Sequence, residues 1–160
     1  MNRVILLLGS NLSDRVLMLA KARNQIQNLI GEIIKESHIY ESDPWGFESD
    51  KAFLNQTLII ETRLSPIEIL QKIKVLEKKM GRVKKSENYE SRTIDVDILF
   101  CNDEIINLPH LIVPHPQLHK RKFTMVPLAE MEPMFIHPVF NKSMLDLLND
   151  CLDNSEVKVH

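Results

Sequence analysis

The run Ile94-Asp95-Val96-Asp97-Ile98-Leu99-Phe100 sets two carboxylates two residues apart in an otherwise apolar segment. Side chains alternate along a strand, so as a strand the run turns Ile94, Val96, Ile98 and Phe100 to one face and Asp95, Asp97 and Leu99 to the other. The carboxylates then share a face, with Cα atoms roughly 6.5–7 Å apart. Like charges so placed need a proton, a cation or a basic partner to offset desolvation and repulsion. The preceding stretch, Gly81 to Thr93, brings Arg82, Lys84, Lys85 and Arg92 with only two acids among them. One reading is a solvated loop whose bases pair with Asp95 and Asp97. The other is a polyphosphate site, in which Mg²⁺ bridges the carboxylates to phosphate oxygens and the guanidinium groups take the remaining charge.

The elements around this run give a definite order. Arg3 to Gly9 is a short apolar run followed by Gly9-Ser10-Asn11, the pattern of a buried first strand and its turn. Val16, Leu19, Ile26, Leu29 and Ile30 recur at helical spacing over Asp14 to Ile30, with Ser13 as N-cap and Gly31 closing the helix. Strands are expected over Ile33 to Tyr40 and Phe53 to Thr62, the second rich in β-branched residues, with the Pro/Gly-punctuated loop ESDPWGFESDKA between them. Ser65-Pro66-Ile67-Glu68 is a capping box with proline at the first helical position, and Ile69, Leu70, Ile73, Leu76 and Met80 continue it as one apolar stripe up to Gly81. The first hundred residues therefore read β-α-β-β-α-β, the order of an α+β ferredoxin-like sandwich with helices on one face of an antiparallel sheet. Beyond them, Asn102-Asp103 predicts a hairpin turn into Glu104-Ile105-Ile106. PHPQLHKRK reads as a loop or short helix, and helices are expected near Thr124 to Met131 and from Ser143 to Leu152.

A chain of 160 residues with 44% hydrophobic content suits one domain spanning residues 1–160. The net charge of −2 gives no global attraction to nucleic acid or anionic membrane, so any anion site must be a local cluster of bases. Cys101 and Cys151 lack CxxC spacing and read as buried thiols of a cytoplasmic protein, while the apolar N-terminal run is too short for a signal core or a membrane span. With four glycines and neither a GxxxxGK[ST] nor a GxGxxG segment, a nucleotide would have to be held by side chains and metal. His115, between Pro114 and Pro116, reads as a phosphate-binding imidazole or a structural loop histidine; its spacing to His119 resembles a metal pair but lacks a third ligand. Trp45 on the long loop, and Phe53 beside Asn55 on one strand face, could cover a flat heteroaromatic ring; otherwise they are ordinary packing residues.

Taken together, GSNL (Gly9 to Leu12), FLN (Phe53 to Asn55), the Glu77 to Arg82 helix end, SRTIDVDIL (Ser91 to Leu99) and VPHP with Arg121 and Phe123 behind it resemble the 6-hydroxymethyl-7,8-dihydropterin pyrophosphokinases of folate synthesis, in that family's order. The resemblance implies a ferredoxin-like fold and transfer of pyrophosphate from MgATP to the pterin hydroxymethyl group, releasing AMP. It implies two Mg²⁺ ions on Asp95 and Asp97, the triphosphate on Arg82, Arg92, His115 and Arg121, and Glu77, Lys84 and the backbone around Ile98 on the nucleotide. It implies a pterin pocket of Ser42, Trp45, Phe53, Asn55, Asp95 and Phe123, with Asp95, Asp97, Arg82 and Arg92 carrying the chemistry. The chain departs from the family pattern at Tyr89, Glu90-Ser91, Lys74, Lys84, His110 and Ile112. The expected partners are small molecules, acted on by a cytoplasmic monomer. A ligand-sensing module of the same fold would not need the Asp pair, and an RNA-binding one would be repelled by it without metal.

Overall fold

The computed structural model describes residues 1–12, 14–43, 52–81 and 94–160. Their elements are, in chain order, β1 (Asn2–Ser10), α1 (Arg15–Leu29), β2 (Glu32–Glu36), β3 (Tyr40–Ser42), β4 (Phe53–Thr62), α2 (Pro66–Lys79), β5 (Asp95–Cys101), β6 (Ile106–Leu108), β7 (Leu111–Val113), α3 (Lys122–Met131), α4 (Met144–Asp150) and β8 (Val157–Val159). A 3₁₀ turn covers Leu118–Lys120.

The main sheet runs β5-β1-β4-β3-β8, with β2 also on β4, and its pairs are antiparallel. Its first four positions are those of a ferredoxin-like sheet, except that β2 and β3 share the place of one second strand. The single strand expected over Ile33 to Tyr40 is broken at Ser37. There the Ser37 N–H donates to the Thr57 carbonyl at 2.9 Å and the Thr57 N–H donates to Ser37 Oγ at 3.0 Å, so a hydroxyl replaces one ladder acceptor. The strand over Phe53 to Thr62 forms as its β-branched pattern predicts.

Local chemistry sets most helix ends. Ser65 Oγ accepts the Glu68 N–H while the Glu68 carboxylate accepts the Ser65 N–H, completing the predicted capping box of α2. Helix α1 is capped by Asp14, whose Oδ1 accepts the Leu17 N–H at 3.1 Å, and not by Ser13, which lies outside the described residues. Ser143 caps α4, as its position suggests.

Two apolar layers flank the sheet. Val4, Leu6 and Leu8 of β1 face Leu19, Ala22 and Ile26 of α1 and Ile69, Ile73 and Leu76 of α2. Ile5 and Leu7 point the other way, to Met125 and Leu128 of α3 and Met144 and Leu147 of α4. The helices of the first hundred residues thus cover one face, and the C-terminal helices cover the other. Each layer consists of large side chains removed from water, about 1.5–3 kcal/mol apiece.

The alternation expected for the aspartate strand holds through Leu99 and fails at Phe100. The register passes from Leu6↔Ile98 to Ile5↔Phe100, leaving Leu99 as an extra residue, a β-bulge. Phe100 therefore joins Leu99 on the α3–α4 face, and not Ile94, Val96 and Ile98 on the other. The turn at Asn102-Asp103 forms, with the Glu104 N–H on the Cys101 carbonyl at 3.0 Å. The strand after it pairs elsewhere, however, since β6 pairs with β7 in a separate two-stranded sheet. Strand β8, which no sequence pattern announced, pairs with β3. Cys101 is buried and Cys151 only half-buried; both are free thiols.

Candidate active site

The sheet register builds the site. Gly9 of β1 lies opposite Asn55 of β4 on one side and Asp95 of β5 on the other, and Tyr40 of β3 lies opposite Asn55. Residues directly across a ladder share a face, so Asp95, Gly9, Asn55 and Tyr40 form one row. Asp97, Leu7 and Thr57 form the next. Both aspartates are half-buried and lie upstream of the bulge, so their shared face survives it. This is the face that α3 and α4 cover, but the apolar layer stops at Leu7, and beyond it the row is polar.

Gly9 opens space in that row. A Cβ there would stand 3.0 Å from Asn55 Oδ1 and 3.7 Å from the Phe53 ring. Asn55 is 3% exposed, and its Nδ2 donates to Ser42 Oγ at 2.9 Å. Ser42 lies opposite Phe53 in the ladder. Ser42, Phe53 and Asn55 are therefore gathered as a ring beside a tethered amide. Phe123 and Arg121 come from the start of α3, with the Arg121 guanidinium carbon 5.8 Å from the Phe123 ring centroid. Arg121 is buried and is the N-cap residue of α3.

Strand β5 is an edge of the sheet, and a cleft of about 300 Å³ lies along it. Leu70, Val96, Asp97, Ile98, Pro109, His110, Leu111, Ile112, His115 and Pro116 line it. Two outward groups of the edge have partners: the Val96 N–H donates to Glu77 Oε2 at 3.0 Å, and the Leu99 carbonyl accepts the His115 N–H at 3.0 Å. By strand alternation Ile98, two residues after Val96, turns its own N–H and C=O to the same outer side. The cleft is thus lined mainly by apolar side chains, with a backbone donor and acceptor on one edge and Asp97, His110 and His115 among its lining residues.

His115 joins the cleft to the polar row. Burial, and then the nearby Arg121 guanidinium, push its imidazole down to about 4, against the opposing pull of Asp95. Its Nδ1 accepts the Gln117 N–H at 3.1 Å, so near neutral pH the ring is uncharged with its proton on Nε2, a donor. His119 does not join it; that ring lies edge-on to Phe140 at 4.6 Å.

Of the residues singled out from sequence, Asp95, Asp97, Ile98, His115 and Glu77 gather along β5, Arg121 and Phe123 at the head of α3, and Ser42, Phe53 and Asn55 on β3 and β4. Arg82, Lys84, Arg92 and Trp45 lie outside the described residues. Sequence reasoning missed Tyr40 and the cleft-lining role of Leu70, which it assigned to the apolar stripe. Alternation from Ser42 would have put Tyr40 on the site face, but the break at Ser37 hid it. Among the described residues no group of three or more His, Cys, Asp or Glu gathers as a metal site, and no helix is long and apolar enough to cross a membrane.

Residues 5–133 match the family model described as 7,8-dihydro-6-hydroxymethylpterin-pyrophosphokinase. The chain is 46% identical over 144 residues to the 2-amino-4-hydroxy-6-hydroxymethyldihydropteridine pyrophosphokinase of Aquifex aeolicus, covering 90% of this chain and 89% of that one. It is 40% identical over 131 residues to the enzyme of the same name from Bacillus subtilis, covering 81% and 78%. A solved Plasmodium falciparum HPPK-DHPS triple mutant superposes with a TM-score of 0.77 at 21% identity, covering 93% of this chain and 43% of that one. At that identity the likeness speaks to the fold.

Proposed function

Because the chain belongs to the 7,8-dihydro-6-hydroxymethylpterin-pyrophosphokinase family, whose members transfer pyrophosphate from ATP to hydroxymethyldihydropterin in folate biosynthesis, we propose that this transfer takes place where the β5 cleft meets the Asp95–Gly9–Asn55 row. The observation that carries this assignment is the shared face of Asp95 and Asp97. Asp97 is among the residues lining a cleft sized for a nucleotide base, and Asp95 stands in line with a tethered asparagine amide.

In this reading the nucleotide base lies in the cleft between Leu70 and Leu111, meeting the N–H and C=O of Ile98, beside the Val96 N–H that Glu77 holds, and Lys84 is assigned to the same nucleotide. The reduced pterin lies between Phe53 and Phe123, in a pocket to which we also assign Trp45. Its hydrogen-bonding edge is read by the Asn55 amide, which Ser42 holds in orientation. Both Asp95 and Asp97 offer hard oxygen donors from one face and fit two Mg²⁺ ions, which when bound neutralise the polyphosphate and lower the hydroxyl pKa. Arg82, Arg92 and Arg121 take further phosphate charge, and His115 gives a neutral Nε2–H.

The reaction forms a bond from the pterin hydroxymethyl oxygen to the β-phosphorus and breaks the bond from that phosphorus to the bridging oxygen that leaves with AMP. A primary alcohol is a weak nucleophile near neutral pH, so the protein's contribution is alignment and charge neutralisation. The hydroxyl proton passes to an aspartate carboxylate or to solvent. His115 is unsuited to take it, because its Nδ1 already accepts the Gln117 N–H and its Nε2 carries a proton. We also assign residues 1–160 as one working unit, a cytoplasmic monomer acting on small molecules.

The test is AMP formation from ATP, measured with and without the reduced pterin alcohol and Mg²⁺. AMP that requires both supports the proposal. AMP formed without pterin, or transfer that survives complete chelation of divalent ions, overturns it.

A further inference from the structure

Glu130 sits in the last turn of α3, about two helical turns from Phe123, which α3 contributes to the site. Its Oε1 accepts from Tyr40 Oη at 2.5 Å, lies 3.0 Å from His38 Nδ1 and 3.3 Å from the His38 backbone N–H, and its Oε2 accepts the same N–H at 3.2 Å. Burial disfavours the charged carboxylate, yet the Tyr40 and His38 hydrogen bonds hold its pKa below the ordinary value. The Tyr40 phenol, 7% exposed, is raised to about 12 by burial and then by Glu130, so it stays a donor at any working pH.

What this contact joins gives it meaning. Tyr40 lies directly opposite Asn55 in the β3–β4 ladder, and Ser42, two residues on, accepts the Asn55 amide. Helix α3 begins with Arg121 as its N-cap and carries Phe123 in its first turn. A ten-residue helix containing Pro127 is marginal by itself, so tertiary anchors fix its pose. Likewise β3 has only three residues and cannot set its own position. We infer that Glu130 and Tyr40 are positioning residues, which set the width of the pterin slot by tying the helix that supplies Phe123 to the strand that supplies Ser42 and faces Asn55. The inference rests on the pterin assignment above.

The helix has a second tie to the sheet, the Arg3–Glu132 ion pair, at the opposite end of β1 from Gly9. This provides a control for general loosening. Tyr40→Phe removes one hydroxyl and leaves the ring packed; Glu130→Gln keeps the shape and removes the charge. Binding of the pterin alcohol, followed by its own fluorescence with a non-hydrolysable ATP analogue present, is compared with binding of that analogue alone. Tyr40→Phe and Glu130→Gln should each raise the pterin Kd about tenfold, the scale of one charge-assisted hydrogen bond. Nucleotide Kd should stay within about twofold, and Arg3→Gln should leave both constants unchanged. An unchanged pterin Kd in both variants, a parallel shift of both ligands, or an equal shift in Arg3→Gln overturns the inference. Asn55→Ala separates the two layers of argument. If it binds pterin normally, the pocket assignment itself is wrong; if it loses pterin while Tyr40→Phe and Glu130→Gln do not, only the positioning role is.

Discussion

Gly9→Ala places one methyl group at the centre of the site row, and its effect can be worked from the distances. The new Cβ would stand 3.7 Å from the Phe53 ring, ordinary contact, but 3.0 Å from Asn55 Oδ1, closer than a carbon and an oxygen rest without a hydrogen bond. The asparagine must retreat by a few tenths of an ångström, yet it is buried and held by its 2.9 Å bond to Ser42. Stretching that bond to about 3.3 Å forfeits much of the roughly 1–1.5 kcal/mol it contributes and turns the amide away from its ligand. Since each 1.4 kcal/mol is a factor of ten, pterin affinity should fall about tenfold. Stability should barely change. Gly9 has no positive φ, so alanine suits the backbone and restricts the unfolded chain by about 0.4–1 kcal/mol, which offsets the local strain. Fluorescence titration of the pterin alcohol, with nucleotide affinity and urea unfolding measured in parallel, checks this. Unchanged pterin affinity, or a loss of binding matched by a comparable loss of stability, would refute the reasoning.

Asp97→Asn should lower turnover by at least about a hundredfold while the metal-free protein stays folded, because the substitution keeps the side chain's shape and removes only the charge that the polyphosphate site needs. Unfolding of that variant in chelator would show the pair to be structural. Gly31→Ala behaves oppositely to Gly9→Ala: its Cβ would lie 2.3 Å from the Glu61 carbonyl oxygen and 2.8 Å from Thr62 Cβ, backbone and side chain of a central strand that cannot yield. It should cost about 3 kcal/mol in urea unfolding with ligand affinities preserved in the folded fraction. His137, 2% exposed, is held at about 4 by burial and then by His119. The unfolded chain binds its proton below about 6.5 and the native state only near 4, so stability present above pH 6.5 is lost as pH falls towards 4, at up to about 1.4 kcal/mol per unit. His115 acts with the same sign. Urea midpoints at pH 7, 6 and 5 read this directly, and a flat profile would mean that both rings are protonated in the native state.

How much of this was legible in the sequence depended on the range of the cause. The capping box at Ser65 and Glu68 and the shared face of Asp95 and Asp97 follow from chemistry within a few residues, and alternation and helical spacing made them readable. The β-α-β-β-α-β order followed from these periods, and the GSNL, FLN, RTIDVD and VPHP motifs pointed to the family before any coordinates. Other features were settled by segments far apart in the chain. The Leu99 bulge that moves Phe100 to the other face answers the packing of β1 against β5. The coverage of that face by α3 and α4, and the strand pairing of the C-terminal β8, depend on shapes that no local pattern encodes. His115 could be named from its prolines, but its low pKa needed burial and Arg121 beside it. Tyr40 and Glu130 are ninety positions apart, and nothing in either neighbourhood announces the other. Sequence by itself determined which groups are present and, wherever the strand ladder stays regular, which face each turns to, because those follow from backbone periodicity. Only tertiary structure decided what each group touches and how strongly it is desolvated, because contact and dielectric belong to the packed chain.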